Sequence, residues 1–256
     1  VNTVKVIQED NGITWIVLNR EEMRNAINHD VIDELEKALL TAEHDDSKLV
    51  VLTGEGNRAF CSGGDLSTFQ HLQTAKEAKK MLEKMGTILE KIAFFPKITV
   101  AALNGIAVGG GSELASACDF RIGTPACKVG FVQATLGITT GWGGSTLLFE
   151  KVAVTEALNM LLSARMYTSE ELLHNGFLQS VIEDESFKDG VISYVEPFLQ
   201  HSKEVVLAYK SKLVNRYDKN LIHENIQKEI RECARLWESA EHHEAVQAFL
   251  NRPKNN

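Results

Sequence analysis

Cysteine is scarce in this sequence, basic charge is outnumbered and long apolar runs are missing, and each shortage removes a class of function. The four cysteines, Cys61, Cys118, Cys127 and Cys233, stand in no C-x-x-C or Cys/His spacing. That excludes the ligand pattern of structural zinc and any disulfide framework, and it predicts reduced thiols and no bound metal. Lys and Arg number 27 against 35 Asp and Glu, a formal net charge of −8. A surface of that sign repels polyanions on average, so neither nucleic acid nor an anionic membrane is an expected partner. No apolar stretch reaches the roughly 18 residues needed to cross a bilayer. The opening VNTVKVIQEDNG has neither the apolar core of a signal peptide nor the arginine-rich amphipathy of a transit peptide. Together with the thiols this predicts a cytoplasmic chain, with trimming ahead of the first residue left open. No linker, low-complexity tract or internal repeat divides the sequence.

What remains is an ordinary globular composition, 256 residues of which 44% are hydrophobic, enough to build one core. VKVIQED and GITWIVL flank the turn EDNG and predict a hairpin. Val31, Leu35, Ala38 and Leu39 recur at helical spacing behind Asp30, a candidate cap. KLVVLTG reads as a fully apolar strand, the stretch from Gly54 to Asp65 as a loop, and TAKEAKKMLEKMGTILEKIAFF as a helix stopped by Pro96. KITVAAL, DFRIGT and KVGFV read as further strands, and the second half is mostly helical. Its last long helix places Ile222, Ile226, Ile230, Ala234 and Trp237 on one stripe that must bury against something, a second subunit being one candidate. The element order predicts an α/β fold with loops gathered at strand ends.

Two glycine loops follow two of those strands, RAFCSGGDL after KLVVLTG and NGIAVGGGSEL after KITVAAL. If the strands are parallel neighbours, both loops emerge at one sheet edge and their N–H groups can converge on one oxygen, an oxyanion hole. The alternative is a pair of tight turns that only pack backbone on backbone. Glu113, just past the Gly109–Gly111 triplet, is either a desolvated acid suited to proton transfer or an exposed first-turn acid complementing the helix dipole. The eight histidines are scattered and predict neither a metal nor a catalytic role. Lys76, Lys79, Lys80 and Lys84 lie on one helix, but Glu77, Glu83 and Glu90 interrupt them, so a solvated face is expected rather than an RNA-binding stripe.

AFCSGGDL, PKITVAALNGIAVGGGSELASACDFRIGT, LGITTGWGGSTLL and SAEHHEAVQAFLNR, in that order, resemble the enoyl-CoA hydratase/isomerase (crotonase) family over about Val4 to Arg252. The resemblance implies a spiral of ββα units followed by a C-terminal helical trimerisation region, here an α/β core over 1–195 and helices over 196–256 of the same domain. It also implies homotrimers or dimers of trimers, and an acyl thioester of coenzyme A as substrate with no prosthetic group. By matching positions it makes the amides of Ser62 and Gly110 the oxyanion-hole donors and Glu113 a general acid/base. Arg24, Ala26 and the run Ser62, Gly63, Gly64, Asp65 and Leu66 match segments lining the coenzyme A channel. The second catalytic glutamate of the hydratases falls at Gln133, and an amide cannot shuttle a proton at neutral pH. Glu113, Gln133 and Trp142 together resemble the decarboxylases of short alkylmalonyl-CoA thioesters, with Phe131 and Trp142 as apolar walls. The expected activity is therefore enolate chemistry on an acyl-CoA, as a hydratase/isomerase or, alternatively, a decarboxylase. A non-catalytic acyl-CoA-binding or RNA-binding relative is the remaining possibility.

Overall fold

β-Branched residues on both sides of the EDNG turn form the hairpin in the computed structural model, which describes residues 2–251. Strand β1 (Val4–Gln8) pairs antiparallel with β2 (Ile13–Leu18) in the register Val4 to Leu18 and Gln8 to Thr14. A helix α1 (His29–His44) follows, and Asn28 rather than Asp30 caps it, its side chain accepting the Val31 N–H at 3.0 Å. Strand β3 (Leu49–Gly54) leads to β4 (Ala59–Cys61), a short strand within the stretch expected to be loop. Then come α2 (Leu66–Phe69) and the long α3 (Ala75–Ala93), which Thr74 and Glu77 begin with a reciprocal capping box. Strands β5 (Ile98–Leu103) and β6 (Ile106–Val108) precede α4 (Gly110–Ala117). Strands β7 (Phe120–Gly123) and β8 (Lys128–Gly130) precede a 3₁₀ turn at Gln133–Leu136 and α5 (Gly144–Phe149).

The repetition that sequence periodicity hides is visible here. The first hairpin stays in a six-stranded sheet, ordered β1-β2-β3-β5-β7 with a last short strand β10 (Ser180–Val181), and each following pair, β3/β4, β5/β6 and β7/β8, sends its first strand into that sheet and its second into another, ordered β4-β6-β8 with β9 (Tyr167–Thr168). A helix closes each unit. Strands β3 and β5 are parallel neighbours, and so are β4 and β6, so both glycine loops leave the same edge of the second sheet. This is the ββα spiral expected of the α/β chain. The strict strand alternation fails as a sequence signal because the inner strands are buried on both faces, β2 along its whole length.

The rest is helical: α6 (Val154–Ser163), β9 (Tyr167–Thr168), α7 (Ser169–His174), β10 (Ser180–Val181), α8 (Phe187–Leu199), α9 (Lys203–Arg216), α10 (Lys219–Trp237) and α11 (Ala240–Leu250). Helix α8 runs through the 195/196 division, so the helical region begins inside an element; Arg252 lies outside the described residues. The stripe on α10 does not await a second subunit. Ile226 and Ile230 are fully buried within this chain, packed over Gly86 of α3. Each such isoleucine contributes roughly 1.5–3 kcal/mol by leaving water. All four cysteines are free and buried, and no helix among the described residues is long and apolar enough to cross a membrane.

Candidate active site

The loops after β4 and β6 are tied together by backbone before any side chain takes part. The Arg20–Ile27 segment turns through two left-handed residues, Arg24 and Asn25, with φ of 51° and 56°. Its carbonyls and amides then stitch it to the first glycine loop: Ser62 N–H donates to Arg24 O (3.1 Å), Ile27 N–H to Gly63 O (2.8 Å) and Asp65 N–H to Ile27 O (2.8 Å). Arg20 donates to Asp65 Oδ2 at 3.0 Å, and Asp65 caps α2. Arg24, Ala26 and Asp65 thus shape the loop from behind. Arg24 is exposed, and none of the three lines the cavity below.

These bonds correct one expected donor. The Ser62 amide is spent on Arg24, while the Gly64 amide two residues on has no acceptor among the described residues. On the second loop, Gly109 takes φ +56°, ψ −117°, a conformation that glycine tolerates and L side chains resist. The chain then enters α4 with the Gly110 amide likewise free of any described acceptor. A Cβ at Gly110 would fall within the indole of Trp142, so only glycine lets the ring lie against this backbone. Gly64 and Gly110 both face the same cavity, at the positive end of α4. The signal missed in the sequence is small: S-G-G offers three amides, and only the tie to Arg24 shows which one is free.

The cavity measures about 150 Å³ and is lined mainly by apolar groups, including Leu82, Val108, Val132, Ile138, Trp142 and Trp237. Ser62, Gly63, Gly64 and Leu66 lie on its wall. Phe131 does not. Its ring packs edge-on to Phe177, centroids 6.4 Å apart, inside the core, and Val132 takes the position at the cavity. Helix α10 supplies Cys233 and Trp237 and α11 supplies Phe249, so the last helices close the far side. Trp237 is fixed by donating to Leu72 O (2.9 Å), and the His242 ring nitrogen bonds Leu136 O (2.8 Å), holding α11 on the 3₁₀ turn.

Glu113 is the one carboxylic acid on this wall among the described residues, and it is only 2% exposed. Its Oε2 accepts the amides of Trp142 (2.8 Å) and Gly144 (2.9 Å); its Oε1 accepts Gln133 Nε2 (2.8 Å) and, weakly, the Gly141 amide (3.4 Å). Burial pushes this carboxyl up to about 8 and the charge of Glu229 acts the same way, against the Trp142 and Gly144 amides and Gln133, which favour the anion. The shift is toward the acid form, which suits the group to giving a proton. Of its partners only Gln133 can reverse polarity, because a half-turn of the amide presents oxygen instead of N–H. The Gln133 Oε1 is buried without a partner among the described residues, so that half-turn breaks no other bond there. Glu229 was not read from the sequence, although it sits between Ile226 and Ile230 on the apolar stripe, and an acid in such a place is itself a signal.

An acid that shares a mainly apolar cavity with two free amides is suited to stabilising an enolate oxygen and protonating the carbon next to it. The family model for enoyl-CoA hydratase/isomerase matches residues 8–256. The chain is 30% identical over 224 residues to an ethylmalonyl-CoA decarboxylase of Xenopus laevis, covering 86% of this chain and 74% of that one. It is 29% identical to a crotonyl-CoA hydratase of Syntrophomonas wolfei over 98% of this chain and 96% of the relative. Among solved structures, the enoyl-CoA hydratase of Bacillus halodurans superposes with a TM-score of 0.87 at 24% identity, over 96% of this chain and 99% of that one, a likeness of fold.

Proposed function

The chain belongs to the enoyl-CoA hydratase/isomerase family, and from that premise we propose that it decarboxylates a short-chain alkylmalonyl-CoA thioester. The observation that carries the reading is the solitary acid. Hydration needs one group to activate water and another to protonate carbon, and Gln133 stands where a second acid would be required. Decarboxylation needs only one. The bond between the substrate carboxylate and the α-carbon breaks, its electron pair moves onto the thioester oxygen and carbon dioxide leaves. The free amides of Gly64 and Gly110 would receive that oxygen, each such donor supporting on the order of 3–4 kcal/mol of transition-state stabilisation. Glu113 then gives its proton to the α-carbon and regains one from solvent.

The chamber supports both the reaction and a short substrate. The mainly apolar cavity of about 150 Å³ has room for an ethyl branch and a carboxylate. Its apolar lining solvates the departing carboxylate poorly, which favours loss of carbon dioxide. The relatives named ethylmalonyl-CoA decarboxylase add support. Trimeric assembly belongs to this reading as well.

The test is direct. Purified protein is given ethylmalonyl-CoA, methylmalonyl-CoA and crotonyl-CoA in turn, while carbon dioxide release and loss of the conjugated double bond are followed. Release of carbon dioxide with slow or absent hydration is the expected outcome. Fast hydration of crotonyl-CoA with no carbon dioxide from either malonyl thioester overturns the proposal, and binding of all three without turnover favours a non-catalytic relative.

A further inference from the structure

The proposed reaction begins with a carboxylate inside a cavity whose wall holds no lysine, arginine or histidine among the described residues. Some other donor must receive that group, and most side-chain donors on the wall are already committed. Ser62 donates to Met23 O (3.4 Å), Thr135 to Val132 O (2.7 Å), Gln133 to Glu113 (2.8 Å), Cys233 to Thr139 O (3.3 Å) and Trp237 to Leu72 O (2.9 Å). Thr139 is exposed. That leaves Trp142, which is only 4% exposed and whose indole N–H has no acceptor among the described residues.

The setting of the ring shows where this N–H lies. A Cβ on Gly110 would run into its Cζ3 and Cη2, and one on Gly64 would stand 3.8 Å from its Cζ2. The indole therefore spans the two loops that bear the free amides, with the side carrying Cζ2 and the neighbouring Nε1 toward Gly64. Unlike the Trp15 Nε1, which is sealed in protein, the Trp142 Nε1 keeps contact with accessible space, and the space Trp142 borders is the cavity. The ring is also held from behind. Glu113 accepts the Trp142 amide (2.8 Å), while Glu229 on α10 accepts the amides of Gly143 (3.1 Å) and Thr146 (3.0 Å) in the same turn. A donor fixed in this way, in a mainly apolar wall, is left for an acceptor on the ligand.

An alkylmalonyl thioester brings two such acceptors, the thioester oxygen and the carboxylate. The amides of Gly64 and Gly110 offer the oxygen one donor for each lone pair. The carboxylate is borne by the very next carbon, so it comes to rest beside those amides, where the indole stands. We propose that the Trp142 Nε1–H receives the substrate carboxylate, which makes Trp142 the residue that selects a malonyl-type thioester over an ordinary acyl one. A single neutral donor orients the bond to be broken without solvating the charge as water or a cation would. The proposal deepens the decarboxylase reading and rests on it for the presence of a carboxylate in the cavity.

The experiment uses two probes that cannot lose carbon dioxide. One is butyryl-CoA; the other is 2-sulfobutyryl-CoA, which bears an anion on the carbon where ethylmalonyl-CoA bears its carboxylate. Calorimetry gives the affinity of each for the wild type, for Trp142→Phe, and for a protein with benzothienylalanine at position 142, in which sulfur replaces the N–H at nearly the same ring shape. The wild type should prefer the sulfonate. Both variants should lose that preference, and the sulfur isostere, which keeps the packing, should bind the sulfonate about tenfold or more weakly while holding butyryl-CoA as before. Equal weakening of both probes in the isostere would mean a packing role and would overturn the proposal, as would an unchanged preference. With ethylmalonyl-CoA the isostere's loss should fall on KM more than on kcat, because the carboxylate charge has moved to the thioester oxygen by the transition state. A loss confined to kcat would make the N–H a third donor to that oxygen and would refute the assignment. Since neither probe reacts, selective binding without carbon dioxide release counts against decarboxylation alone, and release without selective binding counts against this assignment alone.

Discussion

Alkaline pH should weaken the folded protein through Glu113, and replacing that residue should remove the effect. The folded chain keeps this proton up to about 8, against an ordinary value of 4.5. Below the lower value both folded and unfolded chains hold the proton, and stability is unaffected. Between the two values only the unfolded chain releases it, so rising pH tilts the balance toward unfolding. Above the upper value both have released it, and the full loss has been incurred. At about 1.36 kcal/mol per pH unit, that interval amounts to on the order of 5 kcal/mol. Since folded domains are stable by only about 5–15 kcal/mol, the effect is large. Urea unfolding of wild type and Glu113→Gln at intervals from about pH 5 to about pH 9 measures it, because groups common to both proteins cancel in the difference. The variant's glutamine sets one NH₂ against amide donors and lowers its absolute stability, but it does not titrate and leaves the slope intact. Wild-type stability should fall relative to the variant by up to about 1.4 kcal/mol per pH unit and level off near the upper value. A difference that stays flat would mean an ionised carboxyl throughout, and the proton-donor role would be refuted.

Other perturbations reach separate parts of the site and core. Gly110→Ala drives a methyl into Trp142 and turns the free amide aside, so kcat should drop by about 10²–10³ in a carbon dioxide release assay; an unchanged kcat would remove that amide from the mechanism. Gln133→Glu puts a second acid beside Glu113 and should confer measurable crotonyl-CoA hydration while slowing decarboxylation, compared by following both products. Lys97, buried at 2% exposure, donates to Ala42 O, Asp45 O, Asp45 Oδ1 and Ser47 Oγ. Lys97→Met strands the Asp45 charge and should cost about 3–5 kcal/mol by urea unfolding, with little effect on kcat.

The EDNG turn between β-rich runs carried the hairpin of β1 and β2, and side-chain patterning carried the apolar face of α1 and the long α3, because each helix has an inside and an outside that composition records. Local patterning left Glu113 open, since a buried acid and an ordinary first-turn acid look alike there, and only the family resemblance gave it a role. Patterning failed where geometry belongs to the backbone. Nothing in S-G-G distinguishes the amide of Ser62 from that of Gly64; the difference arises from Arg24 O, nearly forty residues earlier by chain and 3.1 Å away in space. Strand β4 was hidden because three residues are too few to show a period. Phe131 and Val132 were exchanged between core and cavity because the chain leaves β8 for a 3₁₀ turn at that point, and alternation no longer decides which side a residue faces. Glu229 lay in view on its stripe, but its partner turn is over eighty residues distant in sequence, and only folding brings them together.

The walls of the chamber appear in a fixed order along the polypeptide. Both amide-bearing loops precede residue 111, whereas Cys233, Trp237 and Phe249, which line the same cavity, come from helices more than a hundred residues further along the chain. One cavity is therefore walled by two distant stretches of sequence that meet only through tertiary packing. A substitution that loosens α10 from α3, for instance at Gly86, where Ile226 and Ile230 pack, would disturb that wall while leaving both glycine loops intact.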